Sequence, residues 1–141
     1  MSAAPRLMHT AIDATEPRAL AEFYRQLLGL RYRNGDESAG VNDPDREEDW
    51  LVLVDGRGRR VLAFNRVDQL PRPTWPQDES VPKQMHLDLE LPDRAALEVA
   101  RSQALELGAE LLLDRSDDPD EALYALADPA GHPFCLLTTG P

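Results

Sequence analysis

The sequence predicts an α+β fold made of two tandem β-α-β-β-β modules with a cleft between curved sheets. Three observations support this prediction. Apolar and polar residues alternate from Gln84 to Leu91, the period of two that is typical of a strand whose faces meet different surroundings. A similar stretch, also with a His near its start, occurs at residues 7–15. Each stretch runs into a helical pattern that ends at a glycine, Gly29 or Gly108, so the order of elements is repeated.

The first module covers about residues 7–67 and begins with a strand from Leu7 to Ala14. We expect Thr15 to cap the helix that follows, with Pro17 in its first turn, where a missing N–H costs nothing. Residues spaced at i, i+3, i+4, i+7 and i+8 form the apolar side of this helix. They are Leu20, Phe23, Tyr24, Leu27 and Leu28. The remaining strands are predicted at Leu30 to Arg33, Leu51 to Val54 and Arg60 to Val67.

Two loops interrupt these strands. Residues 34–49 contain seven acids against one arginine, together with Gly and Pro breakers, and are predicted to form an acidic loop. Residues 55–58 form a hairpin turn between the last two strands. Its two glycines do not indicate a phosphate-binding loop, because no helix follows them and their spacing fits neither known fingerprint.

Residues 68–83 contain four prolines around Trp75 and are predicted to form a stiff connector. The second module, about residues 84–139, repeats the order of the first. Its elements are predicted at Gln84 to Leu91, Asp93 to Leu107, Ala109 to Asp114, Tyr124 to Ala127 and Pro133 to Thr138. An acidic loop at 117–121 and a turn at 128–131 occupy the same relative positions as before. Such a module cannot bury its apolar sheet face alone, so repetition argues for a single domain made by duplication.

Composition limits the classes of function. The chain has 141 residues and a net charge of -11, which argues against nucleic acid and anionic membrane surfaces as partners. The charge would suit a cationic ligand, but an acidic surface that only keeps the protein soluble is the favoured interpretation. The single cysteine, Cys135, allows no internal disulfide. No apolar run is long enough for a signal peptide or a membrane span, so we predict a cytoplasmic location.

The repeated His-strand-helix-Gly pattern and the closing DPAGHPFCLL resemble the vicinal oxygen chelate superfamily, which includes glyoxalases, bleomycin-resistance proteins and extradiol dioxygenases. The stretches VLAFNRV, RPTWP, QMHLDLEL and ADPAGHPFCLL look most like its glyoxalase-like domain proteins. The resemblance covers Leu7 to Thr139 and implies paired modules, a homodimer and a small-molecule ligand. It does not fix the activity, because lyases, dioxygenases, epimerases, thiol transferases and drug-sequestering proteins share this scaffold.

The resemblance also implies metal ligands from the first and last strand of each module. The first-strand positions match His9 and His86, whose imidazoles suit zinc, nickel, iron or manganese. In the final strand Cys135 stands where the family has a carboxylate, so the predicted metal set is His9, His86 and Cys135. The alternative is that both histidines are hydrogen-bonded structural residues and that Cys135 is a buried hydrophobe.

The last strand of the first module leaves two alternatives open. Asn65 is its best candidate ligand, but if the strand follows the symmetry of the two hairpins, Leu62 and Phe64 face inward instead. Neither last strand contains an acid.

A second group of residues can bind an organic ligand. Trp50, Phe64 and Trp75 can form an aromatic wall, Asn65 is a polar candidate beside them, and Arg66 can meet an anionic group. The alternative is that Trp50 and Phe64 are sheet core and that Trp75 only holds the connector.

These residues support three functional hypotheses. The first is a protein that binds a small organic molecule in the cleft between its modules, either without catalysis or with an unassigned activity. The alternative is a metal-dependent lyase or isomerase in which the metal polarises two adjacent substrate oxygens. An extradiol-type dioxygenase is disfavoured by the missing carboxylate. The third hypothesis is an interaction module with a vestigial cleft.

Overall fold

A computed structural model describes residues 3–37 and 48–141 and confirms the predicted α+β fold. The chain divides into two compact units, Met1–Leu70 and Pro71–Pro141. In each unit the described residues form one helix and one four-stranded mixed sheet, in the predicted order β-α-β-β-β. The predicted acidic loop at 34–49 falls mostly on residues 38–47, which lie outside the described residues.

The first unit consists of β1 (Thr10–Ala14), α1 (Pro17–Leu28), β2 (Arg31–Tyr32), β3 (Trp50–Val54) and β4 (Arg60–Arg66). The strands lie side by side in the order β1-β4-β3-β2. β1 runs parallel to β4, and the other pairs are antiparallel.

The second unit repeats this plan with β5 (Leu87–Glu90), α2 (Arg94–Glu106), β6 (Glu110–Arg115), β7 (Ala122–Ala127) and β8 (Pro133–Thr138). Its strand order is β5-β8-β7-β6, and β5 runs parallel to β8. Neither helix in the described part of the chain has the length and apolar character needed to cross a membrane.

Helix α1 begins and ends near the predicted residues, but its cap differs. The prediction that Thr15 caps the helix is wrong, because the N-cap residue is Glu16 and its side chain makes no capping hydrogen bond. Pro17 occupies the first helical position, and Gly29 ends the helix in the left-handed conformation, with φ 66°. In α2, by contrast, the Asp93 side chain caps the helix by accepting from the Ala96 N–H at 2.8 Å.

The core of the first unit lies between α1 and its sheet. Phe64 is fully buried and stacks on Tyr24 of α1, with 6.1 Å between the ring centroids. Since side chains alternate along a strand, Leu62 shares the helix-facing side with Phe64, while Ala63 and Asn65 lie on the opposite face. This settles the register that the sequence left open.

The two units share a turn of the same construction between their last two strands. Asp55 and Asp128 each begin a turn in which the Asp N–H donates to the carbonyl oxygen four residues on, at 2.8 Å in both. Each Asp carboxylate also accepts the N–H groups two and four residues on. The residue at the fourth position of the turn is a glycine with positive φ: Gly58 in the first unit, with φ 79°, and Gly131 in the second, with φ 96°. Duplication explains why such a specific arrangement occurs twice.

A second shared feature links the start of each helix to a loop. In the first unit, the guanidinium of Arg18 donates to the carbonyl oxygen of Asp36 at 2.7 Å. In the second, Arg94 donates to the carbonyl oxygens of Ser116 and Asp118 at 3.0 and 2.8 Å. Both arginines therefore fix the loop that follows the second strand of their unit.

Candidate functional site

Three potential metal ligands converge in the second unit: His86, Asp88 and Cys135. His86 immediately precedes β5 and Asp88 lies on it, so their spacing of two places both side chains on one face of the sheet. Asp88 and Cys135 are register partners on the parallel strands β5 and β8. The candidate ligand atoms of all three residues lie within 4.8 Å of one another.

The cluster is open on one side and closed on the other. The side chains of His86 and Asp88 are 38% and 59% exposed, whereas Cys135 is buried, at 7%. On the other face of β8, Phe134 and Leu136 are almost completely buried, and this strand packs against α2. The apolar alternation of β5 and β8 thus holds the cluster on the face away from the helix.

Asp88 lies next to both of the other side chains. His86 Nε2 lies 3.3 Å from Asp88 Oδ1, and the Cys135 thiol hydrogen-bonds the same carboxylate. Burial, with the adjacent Asp88 charge as a second cause, raises the pKa of Cys135 to about 11. The thiol is therefore protonated at neutral pH. This argues against a thiolate nucleophile for covalent catalysis in the metal-free protein.

The donor set suits a divalent transition metal. Imidazole nitrogen, thiolate sulfur and carboxylate oxygen are the three donor types that zinc accepts, and catalytic zinc sites combine three protein ligands with one open position. Ligand atoms around a tetrahedral zinc ion lie roughly 3.5 Å apart, given bonds of about 2.0–2.3 Å. A contraction of about 1.3 Å or less from the present separations of at most 4.8 Å would produce that geometry. The residues therefore fit a metal ion.

Three of the predicted site residues of the first unit, His9, Trp50 and Asn65, lie on the sheet face opposite α1. The His9 and Trp50 rings are in contact, with 5.7 Å between centroids, and Trp50 is 39% exposed. His9 Nδ1 is buried and has no hydrogen-bond partner within residues 3–37 and 48–141. Asn65 lies across from Trp50 in the register of β3 and β4, and its amide donates to Asp13 at 3.1 Å.

The first unit lacks the carboxylate and the thiol of the second. In each unit the first strand runs parallel to the last, and the first register pair is Thr10 with Leu62 in one unit and Leu87 with Phe134 in the other. The next pair along each ladder therefore occupies an equivalent position. Ala11 and Ala63 are therefore the counterparts of Asp88 and Cys135. Of the three candidate ligands, the first unit retains only the counterpart of His86, which is His9.

The other predicted ligand-binding residues have different surroundings. Phe64 packs in the core against α1, so it presents no surface to a ligand. Arg66 is half exposed, and its guanidinium lies 3.9 and 3.7 Å from the carboxylates of Asp49 and Asp68. Trp75 lies in the second unit, where Lys83 covers one face of its indole.

Sequence reasoning missed Asp88. The family resemblance places ligands on the last strand of each module, and neither last strand contains a carboxylate. The carboxylate of the cluster comes instead from the first strand of the second module. The alternation of Gln84 to Leu91 contained the signal, since residues two apart on a strand share a face.

The repeated fold and the histidine at the start of each module's first strand define a vicinal oxygen chelate scaffold. The chain belongs to the glyoxalase-like domain family, whose model matches residues 9–137. No curated protein sequence matches the chain.

Solved structures similar to this fold include proteins with different named activities. A fosfomycin resistance protein from Mesorhizobium loti is 13% identical, with a TM-score of 0.64 over 96% of this chain and 93% of that one. A lactoylglutathione lyase from Agrobacterium tumefaciens is 16% identical, with a TM-score of 0.60 over 97% and 96%. A possible glyoxalase from Bacillus cereus is 15% identical, with a TM-score of 0.64 over 95% and 99%. At these identities the likeness establishes the fold alone.

Proposed function

We propose that this protein binds a divalent transition metal, zinc by preference, through His86, Asp88 and Cys135, and that the metal-loaded site acts on a small organic molecule as a lyase or isomerase. The single observation that supports this proposal is the convergence of three different donor types within 4.8 Å. Membership of the glyoxalase-like domain family is consistent with metal binding, because some members of this scaffold depend on a metal, but the proposal depends on the three side chains.

The three side chains have distinct roles in this proposal. Cys135, buried at the floor of the cluster, would supply a thiolate once its proton has passed to solvent, while Asp88 stays a carboxylate. Asp88 supplies an oxygen and, because it also faces His86, orients the imidazole. The exposed His86 and Asp88 leave a side through which a small ligand can approach. A bound divalent ion would supply Lewis-acid polarisation of substrate oxygens.

Metal binding can be tested with cobalt(II), which substitutes for zinc and absorbs visible light. We expect metal-free protein to bind one cobalt ion per chain and to develop a sulfur-to-cobalt charge-transfer band. Cys135→Ser should abolish this band, and His86→Ala should weaken binding by at least about tenfold. Zinc should displace cobalt and remove the spectrum.

A matched control uses the cysteine-containing protein with a change outside the cluster. His132→Ala removes another imidazole of the same unit and should leave the cobalt spectrum unchanged. The proposal is contradicted if no charge-transfer band develops, or if Cys135→Ser binds cobalt as the unaltered protein does. His9, which the resemblance implies as a further ligand, stays a prediction that His9→Ala tests in the same titration.

A metal-free binding function is the second candidate, and the first unit favours it. A partly exposed Trp50 beside a histidine with an unpartnered buried nitrogen offers a stacking surface and one hydrogen-bonding group. Such a pairing suits a flat organic molecule with a polar edge.

Fluorescence separates this candidate from the first. Aromatic metabolites and cationic drugs, added to protein freed of metal by a chelator, should quench tryptophan emission at micromolar concentration. Trp50→Phe should remove the quenching, while Trp75→Phe should retain it. Binding that requires added metal would argue for the first candidate instead.

A further inference from the structure

We propose that Asn34 is a self-modification site, at which Glu37 takes the proton of the Gly35 amide and the Gly35 nitrogen attacks the Asn34 side chain, so that the asparagine deamidates in the folded protein. The reaction needs only water and releases ammonia. It converts Asn34 into aspartate or isoaspartate and adds one negative charge to the chain.

The sequence around Asn34 favours this reaction. Asn34-Gly35 is the only Asn-Gly pair in the chain, since the two other asparagines precede Asp43 and Arg66. Glycine has no Cβ, so its nitrogen is not shielded and its backbone reaches conformations that other residues avoid. The pair lies in the turn that follows β2, and both of its residues are exposed. Water and the Asn34 side chain can therefore approach the Gly35 nitrogen.

A base lies beside the attacking atom. The Gly35 N–H donates to Glu37 Oε2 at 2.7 Å. A general base must lie within about 2.6–3.2 Å of the atom that carries the proton, and this contact meets that condition. A backbone nitrogen is a poor nucleophile while it keeps its proton, so a carboxylate that accepts the proton raises its reactivity. Asn34 and Glu37 also line one cavity of about 590 Å³, which leaves room for the side-chain amide to turn toward the Gly35 nitrogen.

The backbone of the turn is compatible with this role of Gly35. The turn is closed by the Asp36 N–H, which donates to the Arg33 carbonyl oxygen at 2.9 Å, and Gly35 adopts φ 94°. The closing hydrogen bond uses the Asp36 N–H and not that of Gly35. The same turn can therefore stay closed while Glu37 holds the Gly35 N–H.

Bonds and protons balance with water as the only co-reactant. The Gly35 nitrogen gives its proton to Glu37 and forms a bond to Asn34 Cγ. The bond from Cγ to the side-chain nitrogen then breaks, and ammonia leaves with the proton that Glu37 returns. Water opens the resulting succinimide at either of its carbonyl groups, which gives aspartate or isoaspartate. No electrons are transferred, so the reaction requires neither an oxidant nor a reductant.

The modification reaches the sheet through Asp36. The carboxylate of Asp36 is buried, accepts the Val52 N–H of β3 at 2.9 Å and pairs with Arg33 at 3.0 Å. An isoaspartate at position 34 routes the main chain through the side-chain carbon and lengthens it by one atom. The lengthened chain cannot keep the turn that holds Asp36, so β3 loses a hydrogen bond at Val52.

Peptide mapping by mass spectrometry tests the role of Glu37. Deamidation replaces an amino group by a hydroxyl group, so it changes the mass of the peptide that contains Asn34. The reaction is followed at neutral pH in the unaltered protein and in Glu37→Gln, each in its native state and unfolded in urea. We expect Glu37→Gln to slow the native reaction by about tenfold or more and to leave the rate in urea unchanged. The comparison in urea removes the 2.7 Å contact and so isolates any effect of the charge alone.

Two variants serve as controls. Glu106→Gln removes the same charge from an exposed position on α2 and should deamidate at the rate of the unaltered protein. Asn34→Gln keeps an amide on a longer side chain and should show no change of mass in the same peptide. Asp55-Gly56 can also form isoaspartate, but without a change of mass, so mapping separates the two sites.

Thermal denaturation tests the connection to β3. The isoaspartate form, separated by ion exchange, should unfold at a midpoint about 3 °C or more below that of the unmodified protein. Asn34→Asp adds the same charge to a normal backbone and should lower the midpoint less. An isoaspartate form as stable as Asn34→Asp would overturn the connection to Asp36.

Two outcomes of the mapping experiment overturn the proposal itself. One is that native Glu37→Gln deamidates as fast as the unaltered protein, which would mean that Glu37 is not the base. The other is that Asn34 stays intact in the native protein while it deamidates in urea, which would mean that the fold protects this asparagine.

Discussion

Asp88 and Cys135 stand side by side on the parallel strands β5 and β8, and the Cys135 thiol hydrogen-bonds the Asp88 carboxylate. In the metal-free protein this hydrogen bond gives a partner to the buried thiol and to one side of the exposed carboxylate. In the metal-loaded protein we propose, the ion replaces the shared proton. The same pair of residues therefore has a stable arrangement in each state.

This pairing makes Asp88 essential for metal affinity. Asp88→Asn keeps the size of the side chain but removes its charge, so we expect zinc affinity to fall by about 100-fold, measured by competition with a chelating dye. Glu90→Gln is the matched control, because it removes one negative charge from the same strand at an exposed position two residues on. It should change the affinity by less than about threefold. Equal losses in both variants would mean that Asp88 acts only through the overall charge.

Arg94 should contribute to folding stability through the loop that it holds. Its guanidinium donates to two backbone carbonyls, those of Ser116 and Asp118, and Arg94→Ala leaves both without this partner. We expect the free energy of unfolding to fall by about 1–3 kcal/mol in urea denaturation. Arg115→Ala is the control, since its exposed side chain lies 3.9 Å from Asp118 and should cost less than about 0.5 kcal/mol. A loss for Arg94→Ala no larger than the control's would show that the loop does not depend on this arginine.

Gly29 should resist substitution for a conformational reason. It ends α1 with φ 66°, and nothing lies within 4 Å of the position that a Cβ would occupy. Gly29→Ala should therefore destabilise the protein by about 1 kcal/mol through backbone strain alone, without a clash. Gly56→Ala tests this reasoning, because Gly56 has equally open surroundings but no positive φ. Thermal denaturation should show a lower midpoint for the first variant and an unchanged midpoint for the second.

Glu22 should give stability that depends on pH. Its carboxylate accepts from Arg25 at 2.6 Å and from the Tyr32 hydroxyl at 2.7 Å, and the Arg25 contact is the main cause that lowers the pKa of Glu22. A carboxyl group with a lowered folded-state pKa stabilises the protein above its unfolded pKa and loses this contribution as the pH falls through the folded value. Glu22→Gln should thus cost about 0.5 kcal/mol at pH 7 and nothing once the pH is well below about 4.

The control for this pH dependence is Glu106→Gln, which changes an exposed residue in the last turn of α2 that has no ion pair in residues 3–37 and 48–141. It should leave the urea midpoint unchanged at both pH values. If Glu22→Gln still lowers the free energy of unfolding in acid, the loss of stability comes from the changed shape of the side chain and not from its charge.

The repeated order of elements could be predicted because each signal was local. Helix α1 was predicted from the spacing of its apolar residues and from Gly29, and β8 occupies the predicted Pro133–Thr138. Strand starts were less accurate: β1 and β5 begin at Thr10 and Leu87, three residues later than predicted. Strand ends depend on where a neighbouring strand offers hydrogen bonds, and this is not encoded in the strand itself.

The candidate site was only partly predictable for a similar reason. His86 and Cys135 followed from the family resemblance, but Asp88 emerged only when β5 was paired with β8. The register of β4 could not be read from its sequence, because Phe64 and Asn65 are both acceptable inward residues until Tyr24 is placed against one face. Pairing between distant segments supplies this information.

Arg18 reaches both sides of the stretch 38–47, since it donates to the Asp36 carbonyl and forms a bidentate pair with the Glu48 carboxylate. One guanidinium thus holds Asp36 and Glu48 together, and these are the residues to which any replacement for that stretch would be joined. Because extra residues between two fixed ends add little entropic cost, the interval between Asp36 and Glu48 is a natural place to graft an epitope or a recognition peptide. The contacts of Arg18 would hold the two ends of such a graft at a fixed separation.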